Sequence, residues 1–188
     1  MARLSKADWI RKGIKVLNDE GYDAIKIERL CTKFRVTKGS FYHHFESISD
    51  YEEFLLRYWE DQTLGKIREV LSTGETAKER LTLLINEVFS VSGKTELSLR
   101  AWALHNRTVR RSLDKMDQQR ISVMRELYNQ MGAPAEKSGE LAEFAYTAWL
   151  GIQCFYIGSS SQKERTVKLI NDLMRMPIRG LVPEENLK

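Results

Sequence analysis

Apolar residues recur every three or four positions along most of the chain, and the alternating pattern of half-buried strands is not seen. A first helix is predicted from about Lys6 to Asn18, with a stripe of Ile10, Ile14 and Leu17 and a stop at Gly21. A second, short helix carries Ile27, Leu30, Cys31 and Phe34. Arg35-Val36 reads as a tight turn, and a third helix starts near Thr37, whose hydroxyl can cap it. Ser47 caps a fourth helix, with Asp50 at the capping-box position; it runs to about Leu71 and is broken by Ser72-Thr73-Gly74. A fifth carries Leu81, Leu84, Ile85, Val88 and Phe89 and stops at Ser92-Gly93, and a sixth spans Leu97 to Leu104. The seventh has the cleanest stripe, Val109, Leu113, Met116, Met124, Leu127 and Met131, and ends at Gly132. Pro134 opens the eighth, which continues to about Ile157 until Gly158-Ser159-Ser160-Ser161 breaks it. A ninth carries Val167, Ile170, Leu173 and Met174 before Pro177. The expectation is an all-α chain of about nine helices.

The third helix is unusual in packing five aromatic rings, Phe41, Tyr42, His43, His44 and Phe45, behind Thr37-Lys38-Gly39-Ser40. At about 100° per residue, a face centred on Phe41 also takes Phe45. Gly39 and His43 then point the opposite way, with Ser40 and Tyr42 on the flanks. Two rings anchor the helix and the others are left beside Lys38 at its start. Tyr and His can donate to phosphate oxygens, Lys38 adds charge, Gly39 lets a backbone come close, and a helix N-terminus favours anions. Two helices with a short turn between them match a helix-turn-helix.

Charge supports the same reading. Residues 1–46 hold ten Lys/Arg against six Asp/Glu, whereas residues 47–188 hold twenty of each, so the whole surplus of four lies in the first quarter. That asymmetry points to an N-terminal polyanion-binding module joined to a neutral body. The chain is 42% hydrophobic and 30% charged, which suits a globular protein with a real core. Its start, MARLSKADWIRK, is too charged for a signal peptide, and its most apolar run, Phe144 to Gly158, is too short to span a bilayer. Cys31 and Cys154 lie far apart and read as free thiols, so a cytoplasmic protein is expected.

Catalytic and metal patterns fail on spacing. Ser92-Gly93-Lys94-Thr95 imitates a phosphate-binding loop, but the required earlier glycine is Val88 within a helical stripe. Neighbouring His43 and His44 diverge by about 100° on a helix and cannot share one metal. No nucleophile–base set is visible, so no enzyme, cofactor or metal site is expected. In the body, Trp102, His105, Tyr128, Phe144, Tyr146, Trp149, Phe155 and Tyr156 form an aromatic inventory. It can be plain core or line a pocket for an apolar small molecule.

The segment KADWIRKGIKVLNDEGYDAIKIERLCTKFRVTKGSFYHHFES resembles the N-terminal domain of the TetR family of bacterial transcriptional regulators. Gly21-Tyr22 and Thr37 to Phe45 are its most specific parts, and Arg100 to Arg120 resembles the start of many such ligand domains. The resemblance implies a helix-turn-helix domain over residues 1–47 and a helical ligand-binding and dimerisation domain over 48–188. It implies a transcriptional regulator, by family habit a repressor released by a small-molecule effector. Its expected contacts with double-stranded DNA are Lys26, Thr37, Lys38, Gly39, Ser40, Tyr42, His43 and His44. An effector pocket is then expected among Trp102, His105, Arg107, Tyr128, Phe144 and Trp149. Helices eight and nine would form a homodimer, helped by small Ala148 and Gly151, and a palindromic operator follows from two-fold symmetry. Half-sites would lie one turn of DNA apart, about 34–36 Å. Two positions depart from the family: Arg35 stands where a turn glycine is usual, and Ile48 where a lysine often opens the fourth helix and binds phosphate. On this reading the phosphate contact that Ile48 cannot make is lost or moved to Lys26 or Lys33. The rival reading is a helical interaction or ligand-binding module that no longer grips DNA.

Overall fold

The computed structural model describes residues 4–90, 94–155 and 168. Among the described residues there are eight α-helices and no strand: α1 Lys6–Glu20, α2 Ile27–Phe34, α3 Lys38–Tyr42, α4 Ile48–Thr73, α5 Ala77–Ser90, α6 Lys94–Ala103, α7 Arg107–Gln130 and α8 Ala135–Phe155. A 3-10 turn, Tyr22–Ala24, links α1 to α2. The predicted ninth helix and the break at 158–161 lie outside the described residues. None of the described helices is long and apolar enough to cross a membrane. The chain divides into two compact units: Met1–Leu64 with Lys94–Leu113, and the remainder.

The first unit is organised around Trp9, which is wholly buried on α1. Phe34, Phe41, Phe45 and Tyr51 meet its indole edge-on at 5.2, 5.4, 6.3 and 6.4 Å. Edge-to-face contacts of this kind add about 0.5–1.5 kcal/mol each beyond the area they bury. Tyr51, on α4, also donates its hydroxyl to the Trp9 carbonyl at 2.9 Å. The close approach is possible because residue 13, one turn along α1, is glycine. A Cβ there would stand 1.8 Å from the Tyr51 hydroxyl oxygen and 2.9 Å from Leu55 Cδ1. Burial pushes the Tyr51 hydroxyl pKa up, so it remains a donor.

Local chemistry sets the helix ends. Ser5 caps α1 through a reciprocal box: its hydroxyl accepts from the Asp8 N–H at 3.1 Å, and its own N–H donates to the Asp8 carboxylate at 3.0 Å. The Ser5 hydroxyl also donates to the Asp8 carboxylate at 2.5 Å, and this bond, the Ser5 N–H bond and Arg11 at 2.7 Å lower the Asp8 pKa from 3.8 to about 2. The predicted stop at Gly21 holds, its N–H returning to the Leu17 carbonyl at 3.1 Å. At the end of α2 the Val36 N–H returns to the Cys31 carbonyl at 3.0 Å and the Arg35 N–H to Thr32 at 3.2 Å. This is a complete Schellman cap, and it places Arg35 in the left-handed region at φ 57°, ψ 46°. The same pair of bonds closes α7 around Gly132, φ 93°, where no side chain is strained. Ser47 caps α4 as predicted, accepting from the Asp50 N–H at 3.1 Å.

The second unit buries the later half of the α7 stripe, Met116, Met124, Leu127 and Met131, with Leu81, Leu84 and Ile85 of α5 and Leu141, Ala145 and Trp149 of α8 also in its core. Here α8 is less apolar all round than its sequence suggests. Phe144 is 55% exposed, and Glu143, Thr147 and Gly151 are exposed too.

Gly13→Ala should destabilise by about 1–3 kcal/mol of overpacking, read as a lower Tm. Tyr51→Phe should cost about 1 kcal/mol alone. The double variant should be more stable than the sum predicts, because losing the hydroxyl removes the 1.8 Å clash and leaves only the Tyr51 ring carbon and Leu55 at 2.9 Å. Arg35→Gly should raise Tm, relieving about 1 kcal/mol of left-handed strain. An unchanged or lower Tm would show that the turn is not strained. Since folding depresses the Asp8 pKa, its contribution is present above about pH 3.8 and fades as pH falls through about 2. The Tm gap between wild type and Asp8→Asn should therefore close over that window.

Candidate nucleic-acid interface

α2 runs for just over two turns and buries Leu30 and Cys31, while Phe34 turns its ring onto Trp9. Burial also pushes the Cys31 thiol pKa up. The Schellman cap then redirects the chain so that Thr37 can start α3. The Thr37 hydroxyl accepts from the Ser40 N–H at 3.3 Å. α3 has only five residues, too few to hold a helical shape in water unaided. Phe41, 0% exposed, and Phe45, 2% exposed, fasten it to the Trp9 cluster.

With those rings inside, Lys38, Gly39, Tyr42 and His43 are exposed, as the helical wheel predicts. Tyr42 is 55% exposed, yet its ring packs edge-on to Phe41 at 5.5 Å, which limits its freedom. Thr37 and Lys26 are exposed and Ser40 is half-buried. A Cβ on Gly39 would meet nothing but the Thr37 hydroxyl oxygen, at an ordinary 3.6 Å. The fold itself therefore does not demand glycine at this position.

His44 behaves differently from its neighbours. It is half-buried, and its Nε2 bonds the Leu4 carbonyl at 2.8 Å. A carbonyl only accepts, so Nε2 carries the proton. The ring ties the segment before α1 to the end of α3. Lys6 completes that corner, its ammonium 3.3 Å from the Phe54 ring centroid.

Two lysines of the motif are already paired. Lys38 Nζ meets a Glu28 carboxylate oxygen at 2.7 Å, which lowers the Glu28 pKa and raises that of Lys38. Lys33 is bonded to Glu20. Glu28 has no signature in the sequence because its partner lies ten residues away on another helix. Ile48 at the head of α4 is half-buried and offers no charge.

The six expected pocket residues fall in both units. Trp102 is buried, and His105 and Arg107 are exposed, all three in the unit that holds the helix-turn-helix. The His105 ring lies 6.2 Å from that of Tyr22. Tyr128 and Trp149 are buried in the other unit, and Phe144 is exposed there. In that unit Tyr146 donates to Asp117 at 2.5 Å and accepts from Arg120 at 3.1 Å. The Arg120 guanidinium stands 5.2 Å from the Trp149 ring, whose buried Nε1 has no hydrogen-bond acceptor among the described residues. Sequence reasoning missed Asp117, Arg120 and Tyr146 as a group because charged helix positions read as surface.

Comparison with known proteins agrees with this arrangement. Residues 10–50 match the model of the bacterial regulatory proteins of the tetR family. Over 50 residues, 27% of this chain and 23% of the relative, the sequence is 36% identical to the transcriptional regulator AcuR of Cereibacter sphaeroides. Over 159 residues it is 24% identical to the uncharacterised HTH-type transcriptional regulator YuxN of Bacillus subtilis, covering 81% of this chain and 51% of that one. The matched region thus spans about a quarter and about half of these two relatives. A transcriptional regulator from Rhodococcus sp. Rha1 shares the fold with a TM-score of 0.81 at 17% identity, covering 96% of this chain and all of the other. The helix-turn-helix region, residues 10–50, is thus similar in sequence to the bacterial regulatory proteins of the tetR family, and the chain shares the fold of a solved transcriptional regulator.

Proposed function

We propose that this chain is a DNA-binding transcriptional regulator, a cytoplasmic homodimer that represses from a palindromic duplex operator until a small-molecule effector releases it. One observation carries the reading: α3 turns two rings into the core and leaves Lys38, Gly39, Tyr42 and His43 facing outward. On this reading Lys38 and Tyr42 grip phosphate, Thr37 caps and contacts it, and Gly39, Ser40 and His43 face base edges. Lys26 gives a further phosphate contact. Gly39 matters here because a Cβ would come between the backbone and the DNA, although the free protein has room for one.

His44, bonded to Leu4, serves the interface by fixing the segment before α1. Residues 1–47 form the proposed DNA-binding domain and residues 48–188 the proposed effector and dimer domain. Tyr128 and Trp149, with Arg120 and Tyr146 beside the indole, are the favoured lining for the effector. The exposed Phe144, Thr147 and Gly151 of α8 suit a partner copy at the dimer interface.

A gel shift with the region upstream of the protein's own gene, repeated at rising salt, tests this. The complex should weaken steeply with log[salt]. Lys38→Ala should lower the magnitude of that slope by about one. Tyr42→Phe should weaken binding by roughly tenfold, the loss of one bond to a charged acceptor. Gly39→Ala should bind poorly with an unchanged Tm. Retained wild-type affinity in all three variants would remove α3 from the interface.

A further inference from the structure

Lys38 opens α3, and Glu28 in the first turn of α2 holds it at 2.7 Å with the two side chains 58% and 78% exposed. The arrangement recurs one step back along the chain, where Lys33 near the end of α2 is bonded to Glu20 at the end of α1. Stability does not explain the first pair. An ion pair this exposed stabilises little, and the helices it joins are already fastened by buried Leu30, Cys31 and Phe41.

A phosphate oxygen and a carboxylate oxygen want the same thing from Lys38: its ammonium protons. If the phosphate takes all of them, Glu28 is deprived of its cation and left beside a polyanion. If the two share the ammonium, two negative charges stand on opposite sides of one cation. In both geometries Glu28 subtracts from binding, and it does so at a contact that carries no sequence information.

Resting on the DNA-binding reading above, the geometry points to Glu28 as an internal competitor for Lys38 that holds down the protein's affinity for any duplex. The residue acts as an affinity limiter built into the helix-turn-helix. The lowered Glu28 pKa reflects the same bond to Lys38.

The test compares wild type, Glu28→Gln, Lys38→Ala and the double variant by fluorescence anisotropy. The probes are a labelled random-sequence duplex and the duplex from upstream of the gene, both at rising salt. Glu28→Gln should bind both probes about fivefold tighter at low salt, the size of one screened charge interaction. Its salt slope should be steeper by close to one. In the Lys38→Ala background the same change should gain less than about twofold, since its target is gone. Thermal melts of the exposed variants should match wild type.

If Glu28→Gln binds no tighter than wild type, or more weakly, Glu28 orients Lys38 instead of competing for it and the inference is overturned alone. An equal gain without Lys38 also overturns it, by assigning the effect to the general field of the domain. Wild type failing to bind either duplex at low salt overturns the DNA-binding reading itself, and this inference with it.

Discussion

The first unit depends on the ring packing around Trp9, where the hydroxyl of Tyr51 reaches across Gly13 to the Trp9 carbonyl. That bond joins α4 to the middle of α1 at the centre of an aromatic cluster that also holds Phe34 from α2 and Phe41 from α3. Four helices therefore share one small core. α3 gains most from this. One and a half turns of helix cannot form alone, because nucleation costs more than so few bonds return. Its shape is imposed by Phe41 and Phe45 from one side and by the Thr37 cap from the other. A rigid platform with four outward positions is what a reader of a DNA groove requires, and here the platform is made of rings.

The charges on that platform are arranged less simply. The first quarter of the chain has a surplus of four positive charges, yet Lys33, Lys38 and Arg11 each sit on a carboxylate. Such a surface is attractive to a polyanion at long range and self-satisfied at short range. Long-range attraction speeds encounter, whereas a contact made through Lys33, Lys38 or Arg11 must displace an existing partner. On the proposed reading that balance suits a complex with DNA that must also dissociate.

Much of this is legible in the sequence. The helix-turn-helix can be read because its information is local: periodic Ile27, Leu30 and Cys31, the cap at Thr37, and the alternation of buried and outward rings through Phe45. The left-handed Arg35 follows from the two-residue turn. Along α7 the whole stripe from Val109 to Met131 is buried as its spacing predicts. What cannot be read depends on distance in space. The Glu28–Lys38 pair, the His44–Leu4 bond and the Tyr22–His105 contact join residues on different elements. The aromatic inventory of the body is ambiguous for a related reason. Trp102 and Tyr128 as core and Phe144 and His105 as surface have the same one-dimensional signature, and helix packing alone separates them.

The placement of Lys94–Leu113 is also invisible in one dimension, and it bears on how a regulator of this build can switch. These residues follow α5 in sequence but belong to the compact unit of the helix-turn-helix. Thr95 donates to Asn18 at the end of α1 at 2.6 Å, His105 lies against Tyr22, and Asn106 donates to Glu52 on α4 at 3.5 Å. Glu52 is half-buried, and desolvation raises its pKa despite the opposing Asn106 bond. These contacts supplement apolar packing, since Leu99, Trp102, Ala103, Val109 and Leu113 of the same segment are buried. A neutral hydrogen bond of this kind contributes about 0.5–1.5 kcal/mol and one to a charged group about 1.5–3 kcal/mol. α4 and α7 meanwhile contribute residues to both units. On the proposed reading, a ligand favouring one of two states by about 3 kcal/mol would shift their equilibrium more than a hundredfold.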